Sequence, residues 1–340
     1  MFSWLYGKII NFRNSLYEKG AFKSFSLGAR TISVGNITVG GTGKTPFVAY
    51  VAEILAERGE KVCILTRGYG RENPKQRVLV SDGENILTNV KMAGDEPFEL
   101  AGKLCGKAII VADANRVAAA EWAREKFGVT TFVLDDAFQH RRARRDLDIV
   151  LIDASNPFGN SKVLPSGILR EPLANLKRAD IIIITRANLS QNISDLKSKI
   201  AEFTNSPIFI AENKISNLIE LKNFPADSRH QTLNSQLSTL NSMAFCALGN
   251  PNNFFEQLNR ENFAVVETHK FPDHHFYTQK DIERLENSAK RSNAEILLTT
   301  AKDAVKLKDL QFKLPCYVAE SRMIFDDEKA LREKINGRIP

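Results

Sequence analysis

A glycine-rich stretch near the amino terminus constrains the fold of this chain more than any other feature. Residues 31–46 read TISVGNITVGGTGKTP, so a short apolar run leads into glycines, a Lys-Thr pair and a helical pattern. Gly40, Gly41 and Gly43 allow backbone N–H groups to converge on an anion without interference from side chains. The start of the following helix adds unpaired N–H groups and the positive end of its dipole. The order of strand, glycine loop and helix therefore predicts a phosphate-binding loop.

The residue types in this loop assign it to a nucleoside triphosphate. Lys44 can reach the β- and γ-phosphates, and the Thr45 hydroxyl can ligate Mg²⁺. The pattern departs from G-x-x-x-x-G-K-[ST] at its first position, but the Lys-Thr pair at a helix start favours this site over an ordinary glycine-rich turn. The predicted nucleotide-binding residues are Thr38, Val39, Gly40, Gly41, Thr42, Gly43, Lys44 and Thr45.

Apolar segments that alternate with helical patterns predict an α/β fold. The first predicted strands are residues 32–34, 61–66, 107–113, 130–136, 147–153 and 180–185. This spacing predicts a mostly parallel, P-loop NTPase-like sheet sandwiched by helices, with its active groups at the carboxyl ends of the strands. A second alternating set predicts a smaller α/β lobe, with strands at residues 243–248, 263–267, 296–300 and 316–319.

These patterns divide the chain into four predicted parts. Residues 1–25 form an amphipathic helix, and residues 26–212 form the P-loop core lobe. The polar, weakly patterned residues 213–242 connect the lobes, and residues 243–340 form the smaller lobe. Four widely spaced cysteines without a C-x-x-C pair argue against disulfides and a zinc site.

The first predicted helix has an aromatic and apolar face and is followed by basic residues. Its apolar face consists of Phe2, Leu5, Tyr6, Ile9, Phe12, Leu16 and Tyr17. No uninterrupted apolar run approaches the roughly 18–20 residues needed to span a bilayer. The composition favours a helix that lies in the membrane interface, and a helix packed on a soluble domain is the alternative.

The net charge of +7 favours anionic partners, but it does not choose among them. The densest basic cluster is residues 141–145, which read RRARR. It is interpreted as solvated surface charge or as a contact for an anionic ligand or lipid. Nucleic acid is disfavoured because no aromatic platform or nucleic-acid-binding module accompanies the cluster.

Carboxylates and histidines supply the candidate chemistry. Asp135 and Asp136 follow a predicted strand in the position of a Walker B pair, and either can help to hold Mg²⁺; Glu171 is a further candidate ligand. Asp95 and Glu96 either cap a helix or face the nucleotide. His274 and His275 share a loop with an aspartate, and a histidine paired with a carboxylate can accept a hydroxyl proton at neutral pH.

With these stretches assembled, the chain resembles the tetraacyldisaccharide 4′-kinase family over nearly its whole length. The resemblance depends on seven motifs in the family's order: SVGNITVGGTGKTP (33–46), TRGYGR (66–71), GDEP (94–97), DDAFQHRR (135–142), LPSGILREP (164–172), FPDHHFY (271–277) and TTAKDAVKL (299–307). The chain departs from the family's usual TTEKD at Ala301, so any role for an acid there is absent.

The resemblance implies a kinase that transfers the γ-phosphate of ATP to the 4′-hydroxyl of tetraacyldisaccharide 1-phosphate. It implies that Asp95 and a histidine of the FPDHH loop form a catalytic dyad, with His274 preferred over His275. Lys44 and Thr45 carry over as phosphate and Mg²⁺ ligands, with Asp135, Asp136 and Glu171 as the acidic metal surroundings. The residues expected to line the active site are Tyr69, Glu96, Arg116, Gln139, His140 and Arg170.

The resemblance also implies a location and a set of partners. We expect a peripheral, monomeric protein at the cytoplasmic face of the bacterial inner membrane, with a lipid substrate and no nucleic acid. The alternative is a membrane-associated P-loop ATPase switch that acts on a protein partner. Such switches typically carry a lysine just before the two glycines, where this chain has Val39, and they lack a DHH loop.

Overall fold

A mixed sheet of twelve strands runs through the part of the molecule that the structure describes. The computed structural model describes residues 2–190, 192–224 and 235–337. The strand order is β10-β9-β11-β12-β8-β7-β6-β1-β5-β2-β4-β3. In chain order the strands are β1 (Arg30–Asn36), β2 (Val62–Thr66), β3 (Val78–Ser81), β4 (Ala108–Ala112), β5 (Thr131–Asp135), β6 (Leu147–Asp153), β7 (Ile181–Thr185), β8 (Ile208–Glu220), β9 (Ser242–Cys246), β10 (Val265–Lys270), β11 (Ile296–Thr300) and β12 (Cys316–Phe325).

Helices connect most of these strands. They are α1 (Phe2–Glu18), α2 (Lys44–Glu57), α3 (Val90–Ala93), α4 (Asp95–Lys103), α5 (Arg116–Phe127), α6 (Ile193–Ala201), α7 (Ser235–Ser238), α8 (Pro251–Arg260), α9 (Gln279–Arg291), α10 (Ala301–Ala304) and α11 (Glu328–Asn336). Short 3₁₀ helices lie at Leu173–Arg178, Ala187–Leu189 and Leu221–Asn223.

The first half of the sheet is parallel except for its edge strand β3, which pairs antiparallel with β4, and it is covered on both faces, as the sequence predicts. β1 pairs in parallel with both β5 and β6, and β2 pairs in parallel with β4 and β5. Alternate residues of β2 enter different cores: Ile64 packs in the core that contains α2, and Leu65 packs in the core that contains α5. Burial on both faces explains why these strands are apolar runs rather than alternating patterns. The α/β class is confirmed.

A long antiparallel pair joins the two halves. Residues 208–210 of β8 pair in parallel with β7, and residues 211–220 pair antiparallel with β12. Beyond β12, strands β11, β9 and β10 run parallel to one another and form the second half of the sheet. One continuous sheet therefore carries both halves.

The predicted connection and the predicted second lobe differ from this arrangement. Residues 213–220 lie in β8, where polar side chains alternate with buried apolar ones, and residues 225–234 lie outside the described residues. The end of β12 and α11 return to the first half, because Phe325, Leu331 and Ile335 are buried in the core that contains α2. Residues 243–340 are thus not confined to the second half.

Helix α1 packs with small and polar residues inward and apolar residues outward. Gly7 and Asn14 are its buried residues. Its exposed large side chains are Phe2, Trp4, Leu5, Ile9 and Phe12, and Trp4 is 68% exposed. This burial is the reverse of that found in an ordinary helix packed on a soluble domain. Among the described residues, no helix is long and apolar enough to cross a bilayer.

Candidate active site

The glycine loop leads from β1 into an uncapped helix start. Gly43 precedes α2 with φ of 80°, a left-handed conformation that favours glycine, and no side chain caps the first turn. A Cβ at Gly40 or Gly41 would meet no atom within 4 Å, so open space adjoins both residues. The free N–H groups of the first turn and the helix dipole therefore face a space that can accept phosphate.

Two residues at the end of β7 hold this loop from behind. The Thr185 hydroxyl donates to the Thr42 carbonyl oxygen at 2.9 Å, and Arg186 Nη1 donates to the Gly41 carbonyl oxygen at 2.7 Å. Arg186 also pairs with Asp153. Arg186 is not among the predicted site residues, although its place directly after a predicted strand is a signal that it lies at the active edge of the sheet.

Thr38 and Val39 lie before the part of the loop that faces the cavity. Thr38 is buried and bridges to Leu169, and the Val39 N–H donates to the Ile168 carbonyl oxygen at 2.8 Å. Residues 40–45 line the cavity, whereas these two fix the loop against the 164–172 segment. Of the eight predicted nucleotide-binding residues, Thr38 and Val39 therefore do not line the cavity, because they bond to the 164–172 segment.

Asp135 and Asp136 lie at the end of β5 beside Lys44. Asp136 pairs with Lys44 at 3.5 Å and with Arg170 at 2.9 Å. Burial alone would raise the pKa of Asp136, but the charges of Lys44 and Arg170 outweigh burial and lower it. Burial and the charges of Glu96 and Asp136 raise the pKa of Asp135 to about 7. A cation at this position would relieve the repulsion among these carboxylates.

Glu171 does not join these carboxylates. Its Oε2 accepts from Asn14 Nδ2 of α1 at 2.8 Å and from Arg178 Nη2 at 2.8 Å, and the residue is fully buried. The neighbouring side chains Arg170 and Glu171 therefore point to different places, and the predicted metal contact of Glu171 has no support in this geometry. The hydrogen bond that it accepts from Asn14 anchors α1 instead.

Asp95 and His274 meet from opposite halves of the molecule. Asp95 begins α4, and His274 lies in the loop between β10 and α9. His274 Nδ1 and Asp95 Oδ2 are 3.0 Å apart. Burial would raise the pKa of Asp95, but the hydrogen bond from His274 and the charge of Lys306 lower it, so the carboxylate is ionised. An ionised carboxylate only accepts, so Nδ1 carries the proton and Nε2 is bare when the ring is neutral.

His275 is held elsewhere. Its Nε2 lies 3.2 Å from Asp281 Oδ2 at the start of α9, and its ring stacks on Phe271. Lys302 Nζ lies 3.5 Å from His274 Nε2 and 3.3 Å from Asp273 Oδ1. The geometry thus brings His274, and not His275, to Asp95.

The six predicted lining residues form two groups. Tyr69, Glu96 and Arg170 line the cavity, and the Tyr69 ring lies 5.7 Å from the ring of His274. The other three, Arg116, Gln139 and His140, do not line the cavity. Arg116 Nη2 donates to the Asp135 carbonyl oxygen at 3.2 Å, and Gln139 Nε2 donates to the Asn36 carbonyl oxygen at 2.9 Å. Burial together with nearby arginines lowers the pKa of His140 to about 4.

One cavity of about 560 Å³ is lined by residues 40–45, Asp135, Asp136 and His274, and Asp95 is linked to it through its bond to His274. Lys44, Asp136 and Arg186 enter it from the first half, and His274 and Lys302 enter it from the second half. Asp136, Arg186 and His274 all have positive φ, at 49°, 54° and 60°. Left-handed backbone at non-glycine residues is uncommon and concentrates at functional sites.

A phosphate loop, paired carboxylates and a histidine bonded to an aspartate, all meeting at one cavity, define a P-loop phosphotransferase. The LpxK family model, described as tetraacyldisaccharide-1-P 4′-kinase, matches residues 1–340. The chain therefore belongs to this family, and the resemblance read from the sequence motifs is confirmed.

Individual relatives agree with the family match. The tetraacyldisaccharide 4′-kinase of Halothermothrix orenii is 38% identical over 89% of this chain and 80% of its own length. The one from Desulfatibacillum aliphaticivorans is 35% identical over 99% of this chain and 91% of its own. A crystal structure of "apo" form LpxK from Aquifex aeolicus in complex with ATP has a TM-score of 0.78 and 34% identity, and it covers 99% of this chain and 97% of that one. These matches give no support to the ATPase-switch alternative.

Replacing Lys44 tests the phosphate loop. We expect Lys44→Ala to lower phosphoryl transfer by about a hundredfold or more, because one positioned charge on the reacting group is lost. Asp136 keeps its pair with Arg170, so the fold should persist. Turnover of labelled ATP and thermal unfolding measure the two effects. Lys107→Ala removes the surface pair with Glu53 and serves as control; equal activity of the two variants would contradict the assignment.

Proposed function

We propose that this chain transfers the γ-phosphate of ATP to the 4′-hydroxyl of tetraacyldisaccharide 1-phosphate, which gives lipid IVA in lipid A biosynthesis. The observation that carries the proposal is that His274, which is paired with Asp95, lines the same cavity as the glycine loop. Transfer to an alcohol needs a base for the hydroxyl proton beside the phosphate site, whereas simple ATP binding does not.

The base in this proposal is His274 Nε2. The hydroxyl oxygen attacks phosphorus, its proton passes to Nε2, and the bond to the leaving phosphate oxygen breaks. Asp95 accepts the hydrogen bond from Nδ1–H of His274, so it orients the ring and stabilises the imidazolium that forms. Lys44 and the N–H groups of the first turn of α2 neutralise charge on the transferring group.

Mg²⁺ fits the residues at the end of β5. Thr45, Asp135 and Asp136 would hold it, because Asp135 is buried against like charges that a cation would offset. The described residues contain no group of three or more His, Cys, Asp and Glu side chains suited to a metal. That is consistent with Mg²⁺, which usually takes one or two carboxylates together with substrate phosphates. When bound, the ion neutralises charge on phosphate oxygens.

The outward apolar face of α1 supports attachment to a membrane interface. Five large apolar side chains are exposed on one 17-residue helix, and an acylated substrate keeps its chains in the bilayer. We propose, as the family resemblance implies, that the chain is a peripheral, monomeric protein at the cytoplasmic face of the inner membrane. Helix α1 contacts the 164–172 segment through Tyr6, whose hydroxyl donates to the Arg170 carbonyl oxygen at 3.1 Å. That contact brings the interface close to the cavity.

Phosphoryl transfer to lipid tests the function and the dyad together. With labelled ATP, Mg²⁺ and tetraacyldisaccharide 1-phosphate in detergent micelles, the label should appear in a lipid product. We expect Asp95→Asn and His274→Asn each to lower the rate by about 10²–10⁴-fold, the usual contribution of general base catalysis. The double variant should lose little more, because the two residues act as one unit.

The matched control for this assay is His275→Asn, which leaves the Asp95 contact intact and should retain the rate of the unaltered protein within a few-fold. ATP hydrolysis without labelled lipid would contradict the proposed reaction. Fully multiplicative losses in the double variant would contradict the dyad while leaving the reaction itself in place.

Vesicle binding tests the role of α1. We expect Trp4→Glu and Phe12→Glu each to weaken co-sedimentation with phosphatidylglycerol vesicles by about tenfold or more, because burying one such side chain contributes about 1.5–3 kcal/mol. Val266→Glu, which alters an exposed apolar residue of β10, is the matched control. Unchanged sedimentation of both α1 variants would mean that this face does not contact lipid.

A further inference from the structure

Lys306 is a buried lysine beside Asp95 to which the transfer steps above assign no role. Its side chain is 1% exposed, and it follows α10 in the second half of the molecule. Nζ donates to Asp95 Oδ2 at 3.1 Å, the same oxygen that accepts from His274. Nζ also lies 3.8 Å from Asp303 Oδ1. A buried ammonium requires partners of this kind, since an unpaired one costs several kcal/mol.

Asp303 is a fixed support for this lysine. Its carboxylate accepts from the Ala247 N–H at 3.1 and 3.2 Å and from the Thr300 hydroxyl at 2.7 Å. Asp303 is fully buried, so these bonds determine its orientation. Lys306 therefore connects a rigid carboxylate of the second half to the carboxylate of Asp95, which begins α4 in the first half.

We propose that Lys306 is a positioning residue for phosphoryl transfer, which holds Asp95 ionised and oriented so that His274 presents a bare Nε2 to the cavity. The proposal depends on the proposed dyad. Lys306 touches neither the cavity nor the reacting atoms; it acts through Asp95. Without it, Asp95 and Asp303 would remain as two buried carboxylates with no lysine between them.

The charged groups around Asp95 and His274 determine how the loss of Lys306 changes the protonation of His274. Asp95 from α4, Asp273 from the same loop and Lys302 from α10 face His274. His274 and Lys306 face Asp95, and Lys306 also lies 6.0 Å from the centre of the Tyr277 ring. Removing one positive charge from this set favours a protonated His274 ring, which cannot accept the hydroxyl proton.

The test is the pH dependence of kcat for Lys306→Met in the lipid transfer assay. The acid limb of the profile should move to higher pH by about one unit, since a charge at this range shifts a neighbouring titration by about that much. Lys306→Arg keeps the charge and should keep the acid limb in place. Lys308→Met removes a nearby lysine that packs over Phe98 and is the control. A reduced kcat with an unmoved acid limb would overturn the proposal.

A double-variant cycle separates positioning from loss of fold. Lys306→Met should cost little more activity in an Asp95→Asn background, where its target is already gone. A full additional loss there would also overturn the proposal. If His274→Asn proves as active as the unaltered protein, the dyad itself fails, which is a different result from the failure of Lys306. Thermal unfolding of every variant shows which of them are folded enough to compare.

Discussion

A 3.0 Å hydrogen bond between Asp95 and His274 joins the two halves of the molecule at the point where the chemistry takes place. Asp95 begins a helix of the first half, and His274 belongs to a loop of the second, so neither half contains the complete base. The antiparallel pair of β8 and β12 brings them together, because it makes one sheet of both halves. The relation of the histidine to the glycine loop therefore depends on packing across this junction.

The cavity also depends on backbone conformations that the surrounding contacts must stabilise. Left-handed backbone at Asp136, Arg186 and His274 costs roughly 1–3 kcal/mol each. Each of these residues has an ion pair or hydrogen bond that offsets part of that cost: Asp136 with Arg170, Arg186 with the Gly41 carbonyl, and His274 with Asp95. The same contacts aim the three side chains into one space. The contacts that stabilise the left-handed backbone are thus the same ones that orient the active-site side chains.

Local patterns were sufficient to predict the parallel strands and the glycine loop. Strands β6 and β11 begin and end where the apolar runs predict, because both are buried. β8 was missed, since one face of it is half-exposed and its polar residues resemble a linker. Motif order identified Asp95 and His274, but Glu171, Arg186 and Lys306 depend on which way a side chain points. Only tertiary packing determines that direction, and it turned Glu171 toward α1.

The tautomer of His274 is the most direct test of the account. In protein labelled with ¹⁵N at the imidazoles, the chain's five histidines can be separated, and the His274 signals identified by their loss in His274→Asn. The account predicts that neutral His274 carries its proton on Nδ1, bonded to Asp95, with Nε2 bare, and that Asp95→Asn disturbs this state. A proton on Nε2 in the neutral ring would contradict it, because the atom facing the cavity could then not accept the hydroxyl proton.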